Sequence, residues 1–164
     1  MATSSWLRYT GGSMMTIENE AAMKAFGARL GASFAGGEVL ELVGDVGAGK
    51  TTLTKGIAEG MGIDETVQSP SFTISRVYDE TARGLRLAHY DFYRLHDAGI
   101  MADELHETVN DASAVTIIEW ADIVTGILPE DRLTVKIVAI SEEVRQVEMT
   151  AHGPKAQRLV ETLA

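Results

Sequence analysis

Residues 39 to 52 read Val39-Leu40-Glu41-Leu42-Val43-Gly44-Asp45-Val46-Gly47-Ala48-Gly49-Lys50-Thr51-Thr52. The eight residues from Gly44 to Thr51 match the phosphate-binding pattern G-x-x-x-x-G-K-[ST]. The apolar run before them is typical of a buried parallel strand, and the residues from Thr51 to Met61 are apolar at helical spacing. Strand, glycine-rich loop and helix follow in the order that this motif requires. The stretch predicts a nucleoside triphosphate site in an α/β domain.

The residue types in the loop explain why phosphate is the expected ligand. Glycine permits positive φ, so the backbone can turn several amide N–H groups toward one point, at the N-terminus of the following helix. Lys50 is expected to reach the β- and γ-phosphates, and the Thr51 hydroxyl to coordinate Mg²⁺. The alternative is a glycine-rich turn that only joins two elements, and it gives Lys50 and Thr51 no role.

Length and composition limit the other possibilities. The 164 residues are 45% hydrophobic, which predicts one domain with a substantial core. The sequence has no cysteine, so disulfides and thiolate zinc sites are excluded, and its four histidines show no close metal-ligand spacing. A net charge of −10 argues against autonomous binding to nucleic acid. Without a secretory signal or a long apolar segment, the protein is expected in the cytoplasm, not in a membrane.

Periodicity predicts the remaining elements. Helices are expected at residues 17–35, 51–61, 97–111 and 155–163, and strands at residues 39–43, 86–91, 115–119, 133–140 and 144–150. The polar turn Ser141-Glu142-Glu143 predicts a hairpin between the last two strands. Residues 1–14 are small, polar and aperiodic, which predicts a frayed extension before a single domain at residues 15–164. We expect a mostly parallel central sheet flanked by helices, with an antiparallel edge.

Two acidic residues stand at the carboxyl ends of predicted strands, where ligands of open α/β sheets bind. Glu119 follows two apolar residues and is the candidate metal ligand, and Asp91 is the candidate for holding and polarising the attacking water. Both acids could instead cap turns. Trp120 is a candidate base contact or a core anchor, and Arg94 a phosphate contact or an ion-pair partner.

Absent motifs help to choose the nucleotide and the reaction. Guanine specificity predicts Asn-Lys-x-Asp and a GTPase switch predicts Asp-x-x-Gly, and neither string occurs, which favours ATP. A small-molecule kinase remains an alternative, although the arginines from Arg76 to Arg94 are too dispersed for a typical lid. A non-catalytic nucleotide-sensing module is the other alternative.

Four motifs together resemble one known family. They are the phosphate loop, Ser69-Pro70-Ser71-Phe72, His89-Tyr90-Asp91-Phe92-Tyr93-Arg94-Leu95 and Ile118-Glu119-Trp120. In this order they resemble the TsaE family, formerly called YjeE, over about residues 17–140. Four ordered motifs are far more specific than the phosphate loop alone.

The resemblance implies a bacterial ATPase needed to form N6-threonylcarbamoyladenosine (t6A) in tRNA, acting with the TsaB and TsaD proteins. The tRNA would be reached only through that complex, which agrees with the acidic net charge. By resemblance, Thr51 and Glu119 bind Mg²⁺, and Asp91 takes part in hydrolysis. Thr52, Ser71 and Trp120 belong to the nucleotide site by the same resemblance. ATP would be the substrate and Mg²⁺ the cofactor, with the hydrolysis resetting or regulating the partners.

The chain departs from the family pattern in three places. Ser71 replaces a threonine that is common after the proline, which keeps the hydroxyl but alters its packing. Residues 99–107 lack a clear Glu-x-x-Gly-hydrophobic signature, which concerns partner contacts more than nucleotide binding. The N-terminal extension has no counterpart in the pattern.

Overall fold

The computed structural model describes residues 12–70, 72–79, 81 and 83–163 of the chain, and shows one sheet with helices on both faces. The elements described in this range, in chain order, are β1 (Gly12–Ile17), α1 (Glu20–Ser33), β2 (Val39–Val43), α2 (Lys50–Gly60), β3 (Ser75–Tyr78), β4 (Arg86–Asp91), α3 (Met101–Val109), β5 (Ala114–Glu119), β6 (Leu133–Ala139), β7 (Arg145–Ala151) and α4 (Pro154–Leu163). A short 3₁₀ turn, Ala121–Val124, follows β5. Among the described helices, none has the length and apolar character needed to cross a bilayer.

The sheet has the strand order β1-β7-β6-β2-β5-β4-β3. Strands β6, β2, β5 and β4 are mutually parallel and form its centre, which confirms the predicted α/β fold. The hairpin between β6 and β7 is also confirmed. The prediction of one antiparallel edge was incomplete, because β3 adds an antiparallel strand at the opposite edge. Its four residues are too few for periodicity to distinguish them from a loop.

The N-terminal part of the domain begins earlier than predicted. Residues 1–11 of the expected extension lie outside the described residues, but Gly12–Met14 belong to β1, which pairs with β7 along its whole length. Helix α1 starts at Glu20, where the Asn19 side chain accepts a hydrogen bond from the Ala22 amide. Ile17, the predicted first helical residue, is therefore the end of a strand. A short edge strand is stabilised by its partner and has little signal of its own.

Two helical layers cover the sheet. Helices α1, α2 and α4 pack on one face over the larger core, which includes Leu40 and Ile117. Helix α3 packs on the other face and is shorter than the predicted span 97–111. Of the three residues whose spacing predicts the inner surface of this helix, Leu105 and Val109 are buried, whereas Ile100 precedes the helix and is 84% exposed. The Tyr90 hydroxyl pairs with Thr108, and burial raises the pKa of this phenol to about 12. Tyr90 therefore stays protonated and anchors α3 to the sheet.

Helices α1 and α2 approach each other so closely that their backbones touch. A Cβ added to Gly31 would overlap the carbonyl oxygen of Ile57, and one added to Gly60 would overlap that of Ala28. Gly60, the last residue of α2, therefore has no room for a side chain. This approach holds the helix that carries the phosphate loop firmly against α1.

We predict that Gly31→Ala lowers the free energy of unfolding by about 1–3 kcal/mol, because the added methyl group overlaps a backbone carbonyl. In an exposed helix the same change would be stabilising by up to about 1 kcal/mol. Urea denaturation measures the difference. Gly126→Ala is the matched control, since nothing lies within 4 Å of its added Cβ, and it should change stability by no more than about 0.5 kcal/mol. Equal stabilities of the two variants would contradict the packing argument.

Candidate functional site

The phosphate-binding pattern forms the connection between β2 and α2. Gly49 caps α2 with φ +116° and Gly47 has φ +83°, values that L side chains rarely adopt. The Ala48 amide donates to the Asp45 carbonyl oxygen at 3.0 Å, which closes the turn. Strand, loop and helix are therefore arranged as the sequence predicts, with the first turn of α2 facing the carboxyl ends of the central strands.

Lys50 is the first residue of α2 and is almost fully buried. Its Nζ donates to the Gly44 carbonyl oxygen at 2.7 Å and lies 3.7 Å from Glu119 Oε1. The same ammonium lies 4.4 Å from the centre of the Trp120 ring. Burial of a lysine is costly unless it is paired, and here a carbonyl, a carboxylate and an aromatic face together stabilise the charge. The cation is thereby held at the mouth of the loop.

Glu119 ends β5, and its side chain is only 4% exposed. One carboxylate oxygen faces Lys50, and the other lies 2.7 Å from His89 Nε2. Because an ionised carboxylate only accepts hydrogen bonds, His89 is the donor in this pair. The His89 Nδ1 atom is buried and has no hydrogen-bond partner among the described residues. Glu119 is thus oriented by a hydrogen bond from His89 on β4 and by an ion pair with Lys50 on α2.

The sequence interpretation placed His89 in one of the four motifs but gave its side chain no role. The signal that could have identified it is its spacing from Asp91, because residues two apart on a strand share one face. Both side chains lie on the face of β4 that α2 covers, with His89 opposite Ile117 and Asp91 opposite Glu119. What the sequence could not indicate is the cross-strand hydrogen bond to Glu119.

Asp91 is the last residue of β4 and is buried beside Glu119 in the parallel register. Its Oδ1 accepts a hydrogen bond from the Tyr93 amide at 3.0 Å, so Asp91 caps the turn after β4, which is the alternative role weighed for it. Its backbone amide donates to the Ile74 carbonyl oxygen at 2.8 Å. A cap of this kind also fixes the carboxylate at the edge of the sheet, so the structural and functional roles of Asp91 are compatible.

Ile74 ties the proline-containing segment to this edge. Its amide donates to the Pro70 carbonyl oxygen at 2.6 Å, and its carbonyl accepts from Asp91. The residue has φ +70°, which is strained for a β-branched side chain and costs roughly 1–3 kcal/mol. The segment therefore folds back beside Asp91 at an energetic cost. Ser71, predicted to contact the nucleotide, lies outside the described residues.

Trp120 packs partly against the core, which is one of the two roles weighed for it, and its ring also faces Lys50. Its backbone is in the left-handed region at φ +56°, which is unusual for a bulky residue. The ring packs against the Tyr93 ring at a centroid distance of 4.9 Å and against the core under α3, while its other contact is the Lys50 ammonium. The strained backbone thus turns a partly buried anchor toward the phosphate loop.

A cavity of about 510 Å³ opens beside the loop, on the side of β6. Its walls come from the end of β2, the loop, the turn after β5 and the end of β6. The residues that line it are Glu41–Ala48, Lys50, Trp120–Asp122 and Lys136–Ala139. Val46 and Val138 are exposed apolar residues of this lining. The volume is in the range of small-molecule sites.

Two other predicted candidates lie elsewhere. Thr52 lines a separate cavity of about 80 Å³ on the other side of the loop, together with Gly49 and Arg145. The Arg94 guanidinium lies 4.4 Å from the centre of the Phe72 ring, which is a cation–π contact. Phe72 itself is 84% exposed. The structure thus gathers the loop, Asp91, Glu119 and Trp120 at one site.

The donor set suits a magnesium ion that arrives with a nucleotide. The described residues contain no group of three or more acidic, histidine or cysteine side chains placed to hold a metal ion. Magnesium in nucleotide sites takes one or two carboxylates together with phosphate oxygens and waters. The Glu119 carboxylate, held by a hydrogen bond from His89 and an ion pair with Lys50, and the Thr51 hydroxyl in the first turn of α2 are ligands of the kind this ion needs.

Comparison with known proteins agrees with the four motifs and with this geometry. Residues 17–147 match the family model described as "Threonylcarbamoyl adenosine biosynthesis protein TsaE". A tRNA threonylcarbamoyladenosine biosynthesis protein TsaE from Bacillus subtilis is 41% identical over 84% of this chain and 85% of its own length. The protein of the same name from Streptomyces coelicolor is 36% identical over 81% and 93%.

A solved structure shares the fold as well. The crystal structure of YdiB from Bacillus subtilis superposes with a TM-score of 0.78 at 35% identity, over 95% of this chain and 96% of that one. On its sequence, its fold and the extent of both matches, the chain belongs to the TsaE family.

Proposed function

We propose that this chain is a Mg²⁺-dependent ATPase that acts in the cytoplasm in the formation of t6A in tRNA, as a nucleotide-dependent partner of TsaB and TsaD. Family membership and the names of its relatives support the pathway. The geometry of the site supports the ATPase activity, and the resemblance carried by the four motifs supports the two partners. The net charge of −10 supports a role in which tRNA is met through the complex and not bound directly.

The observation that carries the proposal is the position of the Lys50 ammonium. It lies at the mouth of a glycine-rich loop, at the N-terminus of α2, and 3.7 Å from a buried carboxylate. The helix dipole, the loop amides and the lysine all favour negative charge at this point. A phosphate chain placed there would meet each of these groups, and Glu119 would face it from β5.

The chemistry follows from which charge each residue carries. Lys50 would stabilise the charge that develops on the phosphates, and the Asp91 carboxylate would hold a water for attack on the γ-phosphorus. Glu119 and Thr51 would hold Mg²⁺, which screens the phosphate charge. Hydrolysis depends mainly on positioning and charge stabilisation. Two carboxylates fixed on adjacent strands suit these tasks, one by holding the water and the other by holding the metal ion.

The cavity beside the loop supports a nucleoside as the rest of the ligand. It begins at the loop and runs along the end of β6, so a nucleotide with its phosphates in the loop would extend into it. The apolar side chains of Val46 and Val138 suit the faces of a base. The missing guanine motifs favour adenine. We therefore assign this cavity to the adenosine moiety of ATP.

Asp91→Asn is predicted to reduce the ATP turnover rate by about 100-fold or more, because the amide no longer accepts a proton or orients water as a carboxylate does. The affinity for ATP should stay within about threefold, since the two side chains have the same shape. Steady-state phosphate release and calorimetric binding measure the two quantities. Asp103→Asn, on the exposed side of α3, is the matched control. Full turnover in Asp91→Asn would favour a different water-binding residue.

Glu119→Gln is predicted to abolish most of the gain in ATP affinity that Mg²⁺ provides, a loss of about tenfold or more, because a carboxylate ligand is removed. Binding is measured by calorimetry with Mg²⁺ and again with a chelator. Without Mg²⁺ the variant should bind ATP at least as well as the native chain, since one acidic group near the phosphates is gone. The control is Glu130→Gln, an exposed residue. A retained Mg²⁺ effect would argue against Glu119 as the ligand.

The partner proposal predicts that purified TsaB and TsaD bind this chain in a nucleotide-dependent way and raise its ATP turnover rate. An arginine or loop supplied by a partner commonly accelerates phosphoryl transfer. Steady-state hydrolysis with and without both proteins is the measurement, and the product should be free phosphate. Transfer of the γ-phosphate to another acceptor would indicate a kinase. If this chain bound neither TsaB nor TsaD in any nucleotide state, that result would contradict the partner proposal.

A further inference from the structure

Arg145 connects the hairpin at one end of the sheet to the phosphate loop. It is the first residue of β7, where it pairs with Ala139 of β6 and Ile17 of β1. Its Nε donates to the Ala48 carbonyl oxygen at 2.8 Å, across 97 residues of sequence. In the described part of the chain no carboxylate lies within ion-pair distance of this guanidinium. Arg145 therefore donates its hydrogen bonds to backbone carbonyl oxygens.

The other side of the guanidinium is anchored in the turn between β6 and β7. Nη1 donates to the carbonyl oxygens of Ser141, Glu142 and Val144, at 2.9, 3.1 and 3.1 Å. The turn is closed on itself by a hydrogen bond from the Ile140 amide to the Val144 carbonyl. The planar, five-donor guanidinium can bridge the two groups of acceptors at once, which an ammonium cannot do. The hairpin turn is thus a fixed support for one peptide of the loop.

That peptide joins Ala48 to Gly49, and its orientation decides where the Gly49 amide points. Across a trans peptide the C=O and the N–H point in opposite directions. With the Ala48 carbonyl directed to Arg145, the Gly49 N–H is directed away from Arg145. An amide at the N-terminus of α2 is one of the groups that binds phosphate.

Packing holds this peptide on one side only. Ala48 is buried in the core, but a Cβ at Gly49 would meet only the end of Met23. Glycine at position 49 leaves the peptide free to turn on that side with little steric resistance. The hydrogen bond from Arg145 to the Ala48 carbonyl oxygen therefore helps to fix the direction of the peptide.

We propose that Arg145 is a positioning residue for nucleotide binding, which orients the Ala48–Gly49 peptide so that the Gly49 amide faces the phosphates. The inference rests on the proposed nucleotide site. It adds a residue outside the four motifs, from the opposite end of the sequence. It also makes the β6–β7 turn part of the binding machinery, since the turn holds the far side of the guanidinium.

The test compares binding of ADP and ATP to the native chain and to Arg145→Gln, by calorimetry in the presence of Mg²⁺. We expect the variant to bind both nucleotides about tenfold more weakly, because a charge-assisted hydrogen bond that orients the loop is lost. Arg145→Lys should recover part of the affinity, since its ammonium can still reach one group of acceptors. Arg158→Gln removes the same charge from an exposed site on α4 and should leave affinity unchanged.

A purely structural role would lower the midpoint of thermal unfolding without changing the loop. The distinguishing readout is the ¹H–¹⁵N resonance of the Gly49 amide, which should shift on addition of ADP in the native chain and in Arg158→Gln. In Arg145→Gln, or in Arg145→Lys if the glutamine variant does not fold, the shift should be smaller or the resonance broadened. Nucleotide affinity within twofold of native together with an unchanged Gly49 shift would overturn the inference. If the native chain binds neither nucleotide, the proposed function itself fails and the role of Arg145 fails with it.

Discussion

The contact between the Lys50 ammonium and the Glu119 carboxylate is the interaction around which the site is organised. Both groups are nearly buried, and a buried charge is tolerated only when it is paired and hydrogen-bonded. The Gly44 carbonyl, the Trp120 ring and the His89 imidazole supply the remaining contacts. These groups belong to the phosphate loop, β4 and the turn after β5. The ion pair between Lys50 and Glu119 therefore forms with all its contacts only when the central parallel strands are in register.

The rest of the fold supports that arrangement from two directions. Helix α2 is held by backbone contact with α1 through Gly31 and Gly60, which places its N-terminus over the carboxyl ends of the strands. The hairpin of β6 and β7 approaches from the other side, where Arg145 bonds to the loop. Strand β1 extends this hairpin by a third antiparallel strand. The antiparallel edge is therefore connected, through Arg145, to the phosphate loop at the parallel centre of the sheet.

Much of this architecture could be predicted, because the strongest signals are local. The loop with its flanking strand and helix, the strands that end in Asp91 and Glu119, and the hairpin were all expected from spacing and turn residues. Strands β1 and β3 were not, since a short strand is defined by its neighbour. The positive φ angles of Ile74 and Trp120 could not be predicted either, because no local preference of these residue types favours them.

By itself the sequence determined the kind of site: a loop whose glycines and lysine suit phosphate, two acids at strand ends, and four motifs typical of one family. These features depend on residue type and on spacing along the chain. The tertiary structure alone decided which groups meet. The bond from His89 to Glu119 joins residues 30 apart, and the bond from Arg145 to Ala48 joins residues 97 apart. Such contacts depend on strand order and register, which arise only when the whole sheet packs.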